Sequence, residues 1–456
     1  MIHYLQLLVV VLPALSTLIR PLTRRTALIS VSLTLGLSGV LTAVSLANDV
    51  ALVPHLFHPG LSLDHLTIWL VPYNVLIYWA ILLCTPRAER SPASSARLLQ
   101  GLSLDLAFFS IRSPQWMAVL WVLTHYPIIA EARTWQGDHQ RSRLLRILVV
   151  YLGTGCLFFV LGVWGLTSGA IPMLYSCIAI TIGIVLRKAI VPFHQWLPEL
   201  FEKGPLGHVI AFCAPQLGAY ASIRLLAPVA PEELLVALGA AALITAVYGA
   251  CLACGQKSFR GAYAGLFMGQ TSVVFAGLQC TSQVSLAGGL ALWISGGLAL
   301  TGLGLTVWAM EARRGRMTLD RFHGGYERSP VVATSFLIFG LTSCGFPGTL
   351  GFISEELLLE GTIHTYPHVG LLAAIAAALN GITVMRIYLR LFCGSKTSYA
   401  ISQAMRPRER VAMLTLLAIL LGFGLAPQAF IASRWQAAEE IMRSRVIPLL
   451  PEGGVH

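Results

Sequence analysis

Charge is what this chain has least of. Only 11% of its 456 residues are Asp, Glu, Lys or Arg, against about 25% in a soluble domain, and water could not keep such a surface in solution. A soluble enzyme, a nucleic-acid binder and a disordered protein are excluded on that ground. Lysine is scarcer still, with four in the whole chain. The G-x-x-x-x-G-K-[ST] phosphate loop does not occur, and no nucleophile constellation stands out. Cys251 and Cys254 form a lone C-x-x-C with no second pair or His cluster to complete a metal site. The nine cysteines read as ordinary buried residues in apolar stretches. No cofactor is predicted, and no strand-like alternation is long enough for a membrane barrel.

Long apolar runs take up the chain instead, with 56% of residues hydrophobic. One membrane helix needs about 20 residues. The first run, MIHYLQLLVVVLPALSTLI, precedes its positive charges, the reverse of a cleavable signal, and reads as a span with its N-terminus outside. Others follow near 26–47, 62–84, 98–112, 115–131, 144–166, 171–190, 205–227, 233–254, 261–279, 283–311, 330–360, 367–393 and 410–433. The fold class predicted is an all-α polytopic membrane protein of about fourteen transmembrane helices, with 98–112 the weakest run.

Basic residues test that count independently. With loops numbered from the first span, the odd ones carry Arg20, Arg24, Arg25; Arg87, Arg90, Arg97; Arg133, Arg141, Arg143, Arg146; Lys203; Lys257, Arg260; Arg313, Arg314, Arg316, Arg321, Arg328; and Lys396, Arg406, Arg408, Arg410. The even loops hold almost none, Arg112 and Arg224 excepted. The alternation predicts odd loops in the cytoplasm and both termini outside, as in a bacterial inner membrane protein. The net charge of +11 belongs to those loops. The tail over 434–450 mixes Trp435, Ile441 and Met442 with charges and reads as an interfacial helix.

Charges inside spans cost about 2.5–3.5 kcal/mol each on insertion scales, so the few present are candidates for function. In LRKAIVPFHQWLPE, Pro192 breaks a helix beside Arg187, Lys188 and His194. In CGFPGTLGFISEE, Gly345, Pro347, Gly348 and Gly351 unwind another just before Glu355 and Glu356. Two interruptions of this kind mark ion pathways in inverted-repeat transporters, because unwound backbone at membrane depth needs polar partners. A carboxyl or an amine can exchange protons, whereas arginine cannot, and Lys188 is the one lysine near a span interior. Plainer roles stand beside these. Arg187 and Lys188 can snorkel to the interface, His194 can cap a broken helix, and Glu355 can pair statically with Arg386 or Arg390. His125, in WVLTHYP, is a weaker candidate, and His208 reads as interfacial.

These segments resemble the antiporter-like membrane subunits of respiratory complex I. The same superfamily holds the multisubunit cation/proton antiporters, membrane hydrogenases and the membrane partner of the DAB inorganic-carbon uptake complex. VPFHQWLPE is similar to the family's P-F-H-x-W-L-P signature. The likeness extends through GPLGHVIAFCAPQLGAYASIRLL, LDRFHGGYERSP, GFPGTLGFISEELLLEG and NGITVMRIYLRLFCG, over roughly residues 110–395. It implies two inverted five-helix repeats at 98–227 and 233–393, flanked by N-terminal helices over 1–97 and a last helix and tail over 394–456. It also implies a line of buried protonatable residues driven by a partner.

The departures thin that line. The acid expected after Trp121 is Val122, with His125 a substitute on the same helical face. The lysine expected five positions before Pro192 falls on Arg187, with Lys188 next to it. A further lysine position is Gln216, and the eleventh span carries no charge; Glu355 is retained. The function expected is an ion-translocating subunit, most simply for protons, of a larger complex, with a specialised DAB-type relative favoured. The alternatives are a non-conducting scaffold that docks a partner, and a pumping subunit of a dehydrogenase or hydrogenase complex. The partners expected are at least one protein subunit docking on the basic cytoplasmic loops and the lipid bilayer, with no nucleic acid.

Overall fold

The computed structural model describes residues 2–18, 22–47, 63–134, 138–365, 367–394 and 405–446. Arg20, Lys396 and residues 447–450 of the expected tail lie outside the described residues. Helices account for most of the described residues, and β-structure is confined to isolated bridges such as the antiparallel pair Ser258–Thr318. Among the described residues, seven helices are long and apolar enough to cross a membrane, or eight if the bent pair Pro407–Leu425 and Gln428–Arg445 counts as one. That pair bends by 82°, so the second helix turns sharply away from the last apolar run.

The helices start and stop for local reasons. Ser91 and Ser258 accept from the backbone N–H three residues on, and proline opens several first turns, where its missing donor costs nothing. The break between Pro114–Leu123 and Tyr126–Ala132 falls where Pro127 has no N–H to donate to the Leu123 carbonyl four residues back. The weakest run by sequence forms a straight helix, Pro92–Ser110, with Leu98, Leu102, Leu106, Phe108 and Phe109 buried.

The helix Gln283–Arg314 is the spine. Its 32 residues would be ~48 Å long at 1.5 Å per residue, and its apolar window is entirely buried. Glycine makes that possible where neighbours come closest. A side chain at Gly288 would collide with the backbone of Leu358, and one at Gly297 with the Tyr73 hydroxyl. The peripheral helix Asp138–Ser168 instead exposes Val149, Val150, Leu157, Leu161 and Trp164, as a lipid-facing surface does.

The loops sort onto two faces. Residues from the third, fifth, seventh, ninth and eleventh loops of the sequence reading (Glu89, Glu131, Lys203, Arg260, Arg316) line one pocket. Arg313 reaches Glu409 at 2.5 Å, tying in the thirteenth. At the opposite end, Asp64 holds Arg112 at 2.9 Å and also pairs with Arg224. The two arginines that break the charge alternation therefore share one buried carboxylate. Arg434, fully buried, donates to the carbonyls of His65 (2.6 Å) and Leu66 (3.3 Å), and Arg445 to those of Leu278 and Cys280. The C-terminal helix is thus clamped onto this face by main-chain acceptors.

Candidate functional site

The helix Met173–Lys188 ends at Ala189 in a left-handed conformation, φ 55°, and the chain turns through Pro192 before Trp196–Lys203 resumes. A second break separates Leu206–Cys213 from Leu217–Ala221 at Gln216, φ 52°. These two are the only non-glycine residues with positive φ among the described residues. They flank one hydrogen bond, from Lys188 Nζ to Gln216 Oε1 at 2.8 Å. Left-handed backbone costs roughly 1–2 kcal/mol at a residue with a side chain, so the surrounding packing holds this pair in place.

Adjacent in sequence, Arg187 and Lys188 point apart. Lys188 Nζ also donates to the Thr271 carbonyl at 3.1 Å and lies 5.3 Å from the Phe275 ring. Arg187 donates to Thr124 Oγ1 at 2.8 Å, contacts the His125 ring at 3.2–3.3 Å, and sits 4.7 Å from the Trp121 ring and 4.9 Å from that of Phe212. Both are buried. Neither snorkels, because their donors are spent on interior acceptors. His194 is half-buried with its ring 4.8 Å from that of Tyr248, outside this cluster.

The geometry corrects one expectation about His125. Val122 is 43% exposed while His125 is buried and donates from Nδ1 to the Trp121 carbonyl at 2.7 Å. The break at Thr124–His125 separates them, so the three-residue spacing of a continuous helix does not apply. His125 faces Arg187, and Val122 faces outward.

The second interruption lies between Pro330–Thr342 and Leu350–Thr365. Gly345 (φ 68°) and Gly348 (φ 86°) carry the turn with Pro347 between them. Glu355 is buried and packs against Gly345, where any side chain would strike its carboxylate. Its Oε2 meets no hydrogen-bonding group among the described residues. Glu356, one position on, is exposed. The static pairing open to Glu355 is not made. Arg386 donates to the Cys254 and Gln256 carbonyls, and Arg390 to that of Asp320.

Several buried polar side chains stand on the helices between the two breaks. From Lys188 the contacts run to Gln216 and Thr271. Gln270, the next residue, lays its side-chain nitrogen against Gly296. Ser295 donates to Ser354 at 3.2 Å, beside Glu355. Sequence reasoning missed Asp105, buried and accepting from the Tyr78 hydroxyl at 2.8 Å. His208, expected at the interface, is buried against Glu131 at 3.5 Å, next to the pocket on the basic face. A lone acid in the apolar run LSLDLAFF was the available signal for Asp105. Among the described residues, no group of three or more His, Cys, Asp or Glu could hold a metal ion.

Known proteins share this architecture. The structure is similar to a chain of respiratory complex I from Thermus thermophilus, with a TM-score of 0.87 at 22% identity over 96% of this chain and 99% of that one. It is similar also to a chain of the Mrp complex from Dietzia sp. DQ12-45-1b, with a TM-score of 0.84 at 15% identity over 98% of each. In sequence it is 26% identical over 321 residues to NADH-quinone oxidoreductase subunit M of Rickettsia prowazekii (strain Madrid E), spanning 65% of this chain and 65% of that relative. Residues 143–381, more than half of the chain and including both helix breaks, match the family described as NADH:quinone oxidoreductase/Mrp antiporter, TM. The chain is therefore an integral membrane protein that belongs to the NADH:quinone oxidoreductase/Mrp antiporter transmembrane family.

Proposed function

We propose that the chain is a proton-translocating membrane subunit of a larger, energy-coupled complex. The observation that carries this reading is the pair of buried ionisable groups at the two helix breaks, an exchangeable amine at Lys188 and the Glu355 carboxylate, whose Oε2 meets no hydrogen-bonding group among the described residues. An unsatisfied buried carboxylate costs free energy, and a group retained at that cost at a helix break is a functional-site hypothesis by default. Protons are favoured over sodium because the pathway offers an amine, an imidazole and one inner carboxylate, not a cluster of oxygen ligands. Relatives named as subunits of NADH-quinone oxidoreductase and F(420)H(2) dehydrogenase complexes support a role with partner proteins.

The finer architecture proposed is about fourteen spans. Two inverted five-helix repeats occupy 98–227 and 233–393, after N-terminal helices over 1–97 and before a last helix and tail over 394–456. The gathering of odd loops on one face and even loops on the other supports that count. The basic face is proposed as the cytoplasmic one in a bacterial inner membrane, with both termini opposite and the partner docking on the basic loops. Lys188, Arg187, His125 and Glu355 are assigned to the pathway, with the breaks at Pro192, Pro347 and Gly348 shaping it. His194 and Glu356 are given peripheral positions. Val122 and the uncharged eleventh span favour a specialised, DAB-type subunit over an ordinary pump subunit.

Glu355→Gln in the purified complex tests the reading. Partner-coupled proton movement in vesicles is expected to be lost while the complex stays assembled. Unchanged proton movement in an assembled complex would identify a non-conducting scaffold instead.

A further inference from the structure

The acid that the family resemblance leads one to expect at position 122 is an exposed valine here, yet an acid shares a small cavity with Thr124, the hydroxyl acceptor of Arg187. Asp105 lies on Pro92–Ser110, a different helix, buried and holding the Tyr78 hydroxyl at 2.8 Å. Asp105 lines a cavity of about 20 Å³ together with Thr124, Arg97 and His208, which is the size that holds one water. Thr124 Oγ1 on its wall is the acceptor for Arg187.

The other end of that cavity leads outward. Arg97 belongs both to it and to the pocket of about 640 Å³ on the basic face. Between the two stands a buried cluster. Glu131 is paired with Arg97, accepts from Ser94 Oγ at 3.2 Å, and lies 3.5 Å from His208 Nε2, which is itself 3.3 Å from Ser94 Oγ. On the inner side, a second cavity of about 30 Å³ is lined by Arg187, Lys188, Gln216 and Thr271, and shares Phe212 with the first. Cavity, cluster, cavity and amine thus follow one another from the basic face to Lys188.

We propose that Asp105 is the proton-accepting carboxylate on the Arg187 side of the pathway, and that Glu131, Ser94 and His208 form its access gate from the basic face. This rests on the proton-translocating reading. A proton from the pocket passes the gate and neutralises the Asp105 carboxylate, leaving the Arg187 charge uncompensated. Release of that proton to the uncharged Lys188 amine forms the ammonium and restores the carboxylate. Arg187 stays charged throughout, since guanidinium does not give up its proton, and it acts as the fixed charge that biases each transfer.

The test uses the full chain in its complex, in sealed membrane vesicles of both orientations. Asp105→Asn is expected to lower coupled proton movement at least tenfold, and Asp105→Glu to retain more than the Asn variant. Ala93→Cys, at the pocket wall and outside the gate, is expected to react with a membrane-impermeant cationic thiol reagent from the basic face alone, and proton movement is expected to fall on reaction. Parental proton movement in Asp105→Asn alongside an inactive Glu355→Gln would overturn the proposal and leave the wider reading intact. If both variants behave as the parent, the wider reading fails. If Asp105→Asn does not assemble, the Ala93→Cys labelling decides: reaction from the opposite face, or reaction without effect on proton movement, overturns the proposal.

Discussion

The two helix breaks solve one problem in opposite ways. At the first, the buried charges of Arg187 and Lys188 are met by Thr124, Gln216 and Thr271 within hydrogen-bond distance, and by the faces of Trp121, Phe212 and Phe275. At the second, Glu355 has an unanswered oxygen and a glycine loop pressed against its carboxylate. Satisfied buried polar groups hold a unique arrangement, whereas a buried polar group left open is costly. The first break is therefore suited to keeping the Arg187 charge in place and the Lys188 amine in one position. The second is suited to a carboxyl that changes its protonation state, because no fixed partner holds it in the charged form.

The largest expected effect breaks this comparison at its centre. Lys188→Met and Glu355→Gln should each reduce coupled proton movement tenfold or more, measured with a pH-sensitive dye in vesicles. They should part in stability. Lys188→Met leaves the Gln216 and Thr271 acceptors unpaired, at about 1–3 kcal/mol for each desolvated group. Glu355→Gln removes an uncompensated carboxylate and should be neutral or stabilising in thermal unfolding of the detergent-solubilised complex. In addition, the dependence of proton movement on pH that this carboxyl imposes should vanish in the Gln variant. Equal destabilisation by both substitutions would mean that Glu355 has a structural partner after all.

Asp64 supplies a control carboxylate, buried like Glu355 but held by Arg112, Arg224 and the Thr67 backbone N–H at 3.0 Å. Asp64→Asn leaves the arginines without their counter-charge. Breaking a buried pair from one side costs about 3–5 kcal/mol, and the lower end applies because the Arg112 side chain is 40% exposed. A large loss of thermal stability is expected here, against none in Glu355→Gln. Similar melting temperatures for the two variants would erase the distinction between structural and functional acids.

How much of this was legible in the residues follows the same division. Proline beside charge, and glycine clustered with proline, marked the two breaks, so Pro192, Pro347 and Gly348 could be read directly, and with them Lys188 and Glu355; single prolines and glycines such as Pro72 and Gly288 stay inside unbroken helices. The sorting of basic loops was legible too, because charge asymmetry is a property of the linear chain. What a break does to direction was not. The spacing that put Val122 and His125 on one face presumes a continuous helix, and Thr124–His125 interrupts it. That Arg187 and Lys188 diverge depends on what packs around the end of their helix. Arg112 and Arg224 looked like flaws in the alternation because their shared partner, Asp64, is 48 and 160 residues away. Such long-range pairing leaves no local pattern.

A smaller effect tests the glycine loop. Gly345→Ala places a methyl group on the Glu355 carboxylate at a backbone angle of φ 68°. The left-handed conformation alone costs roughly 1–2 kcal/mol with a side chain present, and the displaced carboxylate adds to that. Lower stability is expected together with reduced proton movement. If stability falls and proton movement does not, the position of Glu355 is not critical and the second break is less specialised than the comparison holds.

The smallest stability effect falls on the first break. Ala189 is fully buried and left-handed, φ 55°. Replacing it with glycine relieves roughly 1–2 kcal/mol of strain. It also removes one buried methyl, worth about 0.8 kcal/mol, and frees the unfolded backbone by about 0.4–1 kcal/mol. These terms nearly cancel, so the melting temperature should hardly move. Proton movement need not follow. Lys188 is the preceding residue, and its hydrogen bond to Gln216 depends on a helix end that Ala189 terminates in one conformation. Glycine widens the choice of conformations there. A fall in proton movement without a change in melting temperature would show that the strained backbone fixes the amine in its path. Unchanged proton movement would assign that task to Gln216 and Thr271 alone, and Gln216→Ala would then carry the loss.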